Sequence, residues 1–151
     1  MCRLLLGAGV SLTLVLGSFL PARAACTIST TPLAFGAYNV FAVTPLDSTG
    51  SVTFRCTNSE KDVVITLDRG GAPTFNPRWM LNGSEQITYN LYLDAARTAI
   101  WGDGTGGSQT FFDHNPQNNR DIVVPIYGRI PAGQDVKAGT YTNTITATIQ
   151  F

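Results

Sequence analysis

Reactive side chains are scarce in this chain of 151 residues. It has one histidine, His114, and three cysteines, with no CxxC, which leaves little to build a thiolate and imidazole metal site from. No G-x-S-x-G and no GK[ST] occurs, and the lone histidine lies in the polar stretch "FFDHNPQNNR" rather than beside a nucleophile. Charge is thin and balanced, ten Lys and Arg against ten Asp and Glu, with no basic stripe to hold nucleic acid or an anionic membrane. Apolar residues recurring at helical spacing are missing too. The sequence therefore predicts no enzyme: no catalytic residue, no metal and no cofactor. Asp94, Asp103, Asp113 and Asp121 read as turn residues beside loops, and the glycines of "WGDGTGGSQT" as a hairpin end.

What the chain does have begins with an export signal. In "MCRLLLGAGVSLTLVLGSFLPARAAC" a single early charge, Arg3, precedes an apolar run that Pro21 ends, and Ala22 and Ala24 place small residues at alternate positions. This predicts a cleaved secretory signal over 1–24 and one mature domain over 25–151, without a membrane anchor. A membrane span is the rival reading, but the run is short and interrupted by Gly7, Gly9 and Gly17. Export leaves Cys26 and Cys56, an even pair in an oxidising compartment, and a disulfide between them is expected. Zinc held by the two thiolates is the alternative.

Past the leader, period-two segments follow one another with Gly, Pro, Asn and Asp between them. "GSVTFRC" puts Val52, Phe54 and Cys56 on one face; "DVVITLD" puts Val63, Ile65 and Leu67. "QITYNLYLD" and "DIVVPIYGRI" repeat the pattern with Ile87, Tyr89, Leu91 and Leu93, and with Ile122, Val124, Ile126 and Ile130. Pro125, lacking an N–H, calls for an edge or a bulge. The stretches 68–79, 102–110 and 113–120 read as surface loops. Trp79 and Trp101, beside glycine-rich loops, are either core residues or surface aromatics that could stack on a sugar.

The expected fold is all-β: an antiparallel, immunoglobulin-like sandwich with one disulfide, counted at about six strands where seven complete the set. The shortage falls at the end, where "GTYTNTITATIQF" reads as one closing strand with Tyr141, Ile145, Ala147, Ile149 and Phe151 on its apolar face. If that face borders an empty strand position, another chain can fill it, adding main-chain pairing and alternate side chains.

Four stretches in order, "CTISTTPLAFGAYN", "TPLDSTGSVTFRCT", "YNLYLDAARTAIWGDGT" and "VPIYGRIPAGQDVKAGTYTNTITATIQF", resemble the spore coat protein U domain family, which is related to archaic chaperone-usher pilins of the Csu type. The resemblance spans residues 26 to 151. It implies an incomplete immunoglobulin-like subunit secreted to the periplasm and destined for the cell surface. Its implied partners are a periplasmic chaperone that lends a strand, an outer-membrane usher, and a neighbouring subunit whose N-terminal strand replaces the chaperone's. Cys26 and Cys56 match the family disulfide. Tyr141, Ile145, Ala147, Ile149 and Phe151 match its closing strand beside the acceptor groove, and the carboxylate of Phe151 would suit basic chaperone residues. Asn143 stands where the family pattern GxYxDxxxV has Asp. Cleavage after Ala24 would leave one residue before Cys26 and no strand to donate, so a tip or minor subunit of a fibre or coat is expected. The alternative is a free-standing secreted sandwich that binds carbohydrate or a surface.

Overall fold

Extended backbone needs a partner for every N–H and C=O, and antiparallel ladders provide them here. The computed structural model describes residues 25–151. In chain order the strands are β1 (Cys26–Thr31), β2 (Leu46–Cys56), β3 (Val63–Leu67), β4 (Arg78–Asn82), β5 (Glu85–Tyr92), β6 (Phe111–Asp113), β7 (Ile122–Ile130) and β8 (Ala147–Gln150). They form a sheet of five in the order β1-β2-β7-β5-β4 and a sheet of three in the order β6-β3-β8. The chain is thus all-β, an antiparallel sandwich of immunoglobulin-like character. The expected signal peptide lies outside the described residues.

The apolar face of each alternating segment is the buried one. Val52 and Phe54 of β2, Val63 and Ile65 of β3, Ile87 and Tyr89 of β5, and Val124 and Ile126 of β7 meet in one core. Pro125 sits where β7 is paired on one side only, because β5 reaches only Tyr127 to Arg129.

Cys26 and Cys56 are bonded and lie directly opposite each other on β1 and β2. The bridge closes a separation of 30 residues, worth about 3.6 kcal/mol on the chain-entropy estimate. Replacing both cysteines by serine is expected to lower the thermal midpoint by roughly 10 °C in a domain of this size. A reduced-versus-oxidised melting comparison checks it, and an unchanged midpoint would refute the entropic estimate.

Three sequence expectations need correction. Among the described residues there are eight strands rather than about six. β6 has three residues, too few for a period to show, and β4 opens inside the stretch read as a loop. β4 and β5 form a hairpin whose two-residue turn is Gly83-Ser84, with Gly83 at φ 60°, so Gly-Ser is the turn signal. The stretch 68–79 is not simply surface: Ala72, Phe75 and Arg78 within it are buried. Nor is residues 141–151 one continuous strand. Thr142 pairs with Leu81 of β4 in one sheet, whereas Ala147–Gln150 pairs with β3 in the other, so the chain changes sheets between them.

Trp101 is the fourth correction, since it is 0% exposed and cannot be a surface platform. Its indole N–H donates to the Ile65 carbonyl at 2.9 Å, and its ring packs near Phe111. A tryptophan beside a glycine-rich loop was here a core residue with its polar atom satisfied.

Candidate functional site

β8 is the outermost strand of the three-stranded sheet, and among the described residues nothing pairs with its second edge. Along the segment leading into it, side chains alternate. Tyr141, Ile145, Ala147 and Ile149 are half-buried, packed on the core from one side, while Thr142, Thr144, Thr146 and Thr148 are exposed. Phe151 lies beyond β8 and is 50% exposed. None of these five apolar side chains is fully covered.

Three attachments hold this wall. Leu81 and Thr142 exchange both backbone hydrogen bonds, at 2.9 and 3.0 Å. The Asn143 amide donates to the Trp79 carbonyl at 2.7 Å and to the Tyr89 hydroxyl at 3.0 Å. Thr146 N–H donates to the Asp68 carboxylate at 3.0 Å, and Asp68 N–H returns a bond to the Thr146 carbonyl. Gly70, at φ 59°, permits the second: a Cβ there would stand 2.5 Å from the Asn143 amide.

The opposite wall is the stretch after β1. Leu33 and Phe35 turn inward across Gly128, where a Cβ would come within 2.7 Å of Leu33 Cδ1 and 2.8 Å of Phe35 Cζ. Phe35 then meets Tyr89 edge to face at 5.9 Å. Between this wall and Tyr141 lies a cavity of about 800 Å³, floored by Met80, Ile87 and Ile130. At one end the Tyr38 hydroxyl donates to the Pro131 carbonyl and accepts from Gln134 N–H, at 3.0 and 2.9 Å, which ties this stretch to the loop after β7.

The family model of the spore coat protein U domain matches residues 13–148. The chain belongs to that family. This spore coat U domain is 33% identical over 132 residues to Protein U of Myxococcus xanthus, covering 79% of this chain and 71% of that protein. Among solved structures it is similar, at TM-score 0.58 and 20% identity, to a chain in the CsuC-CsuE chaperone-tip adhesion subunit pre-assembly complex from archaic chaperone-usher Csu pili of Acinetobacter baumannii. That match covers 85% of this chain but 40% of the other, so it speaks to the fold.

Elsewhere on this spore coat U domain the candidate residues are separate. Trp79 is half-buried on β4, with its carbonyl taken by Asn143, and it lies apart from the buried Trp101. His114 is largely exposed, with Nδ1 against the Asp62 carboxylate. Asp94 and Asp103 serve their own turns, accepting from Thr98 and Ala99 and from Thr105; the backbone N–H of Ala99 and the Thr105 hydroxyl lead in holding their carboxyls below the usual range. Among the described residues no group of three metal-ligating side chains occurs.

Asn143 is the site residue whose role the sequence did not show. Its amide has to donate to a carbonyl, which a carboxylate cannot do. Asn143→Asp is expected to cost about 1–3 kcal/mol at pH 7 by setting a negative charge against the Trp79 carbonyl. The loss should shrink as pH falls through the introduced carboxyl's raised pKa, because the protonated form donates again. Denaturant melts at pH 7 and pH 4 check this; an equal loss at both would remove the donor argument.

Proposed function

We propose that this spore coat U domain is a structural subunit of a surface fibre or coat, and that its groove accepts a β-strand from another chain. In transit the strand comes from a periplasmic chaperone, and after passage through an outer-membrane usher it comes from a neighbouring subunit. One observation carries the reading: β8 ends its sheet with a free edge, and the segment leading into it leaves Ile145 and Ile149 only partly covered and brings Tyr141 to the wall of an open cavity. A strand laid there gains a main-chain ladder and sends alternate side chains inward. Family membership supports the coat or fibre role, and the likeness in fold to a chain from a chaperone-subunit complex supports the chaperone.

Co-expression tests it. With a cognate periplasmic chaperone, the subunit should purify as a stable complex; alone, it should be degraded or aggregate. Equal yields of free, protease-resistant subunit with and without the chaperone would count against strand acceptance. Sequencing the N-terminus of the exported protein tests a terminal place in the fibre. A start at Ala25 supports that place, and an ordered donor stretch ahead of Cys26 removes it.

A further inference from the structure

The two most exposed large apolar side chains among those described are close neighbours, Phe41 at 88% and Val43 at 93%. The turn carrying them is pinned. Phe41 N–H donates to the Asn39 side-chain oxygen and Ala42 N–H to the Asn39 carbonyl, both at 3.0 Å. Just ahead, the Tyr38 hydroxyl is clamped to the Pro131 and Gln134 backbone. Phe41 therefore has a set position relative to the groove, and it lines the cavity itself. Lys137 is the only charged residue lining that cavity, and its ammonium is taken by Glu85. Apolar surface is thus continuous from Ile130 at the floor to a fixed turn at the mouth.

We infer that the groove reads a strand longer than the gap beside β8: the accepted strand runs on past Tyr141, and one further large apolar side chain at its outer end covers Phe41 and Val43. This rests on the strand-accepting reading above. The occupant is the same extended strand, because Phe41 belongs both to the cavity wall and to the exposed turn, and a strand leaving the cavity has to pass it.

The test uses synthetic peptides. One alternates valine and threonine over about nine residues, beginning and ending with valine, roughly an ordinary strand; two others continue the same alternation by one threonine and one terminal leucine, at one end or the other. Binding is measured by calorimetry on the purified protein and on the Phe41→Ser/Val43→Ser variant, whose thermal midpoint should match the parent because both side chains are exposed. One extended peptide should bind the parent about tenfold more tightly than the core peptide, as burying one more side chain predicts. That gain should vanish in the variant, in which the extended and core peptides should bind alike, whatever the core peptide itself loses with Phe41 from the cavity wall. If the extensions add nothing, or the gain survives the double substitution, the inference falls and strand acceptance stands. If no peptide binds the parent, both fall.

Discussion

A strand appended after Phe151 should stabilise this protein more than any single substitution could. The design is an Asn-Gly turn followed by about nine residues alternating valine and threonine, which would run back antiparallel along the free edge of β8 toward the cavity. Phe151 is 50% exposed and Tyr141, Ile145 and Ile149 are each exposed to a smaller extent, so finishing their burial is worth roughly 2–4 kcal/mol in all. The new strand's own apolar burial and ladder bonds roughly offset the entropy of ordering it. The net expectation is therefore about 2–4 kcal/mol, or some 6–12 °C in thermal midpoint. Register supplies the control. Inserting one residue into the turn sends the valines outward and the threonines inward, and should abolish most of the gain. Equal midpoints for the parent and both fusions would mean that the groove does not take a strand.

What could be read from the sequence follows from how local each signal is. The inward faces of β2, β3, β5 and β7 repeat within a few residues, so Val52, Ile65, Tyr89 and Val124 could be assigned to the core from their spacing alone. The even cysteine pair was legible for a different reason, the oxidising compartment that the expected export signal implies. The closing stretch was half legible. Its alternation marks a wall, but the change of sheet between Thr142 and Ala147 depends on Leu81, Asp68 and Tyr89, which come from three other parts of the chain. The other wall was invisible, because Leu33 and Phe35 point inward only where Gly128, nearly a hundred residues on, leaves room. Loop composition misled in both tryptophan-flanking stretches. Glycine, proline and asparagine report that a backbone turns, and turning backbone can still bury Phe75 or Trp101 when a core lies beneath it.

Arg78 is where that lesson has the largest energetic consequence. Its side chain is 0% exposed and no carboxylate pairs with it; instead the guanidinium donates to the Asp68 carbonyl, the Trp101 carbonyl and the Asn90 side-chain oxygen, at 2.9, 2.6 and 2.8 Å. It lies 5.1 Å from the centre of the Phe75 ring, while Asn90 donates in turn to the Phe75 carbonyl. Burial draws the guanidinium below its usual pKa, yet arginine keeps its charge in proteins, and the carbonyl dipoles have to carry it. Removing the side chain strands the buried Trp101 carbonyl, takes donors from the Asn90 oxygen and the part-buried Asp68 carbonyl, and leaves a cavity where the stem packed, so Arg78→Ala is expected to cost about 4 kcal/mol or more. Arg78→Met, which keeps the stem packed on Phe75, should lose nearly as much if the hydrogen bonds dominate and far less if packing does. The damage should also reach the groove. Asp68, held by Arg78 through its carbonyl, is the residue that ties Thr146 to the sandwich through its own N–H and carboxylate. Hydrogen exchange at the Thr146 amide should accelerate in Arg78→Ala beyond the change at core amides such as Ile65, because local opening there no longer has to break a positioned Asp68. Uniform acceleration would confine Arg78 to global stability, and normal exchange at Thr146 would separate the buried arginine from the strand-accepting wall.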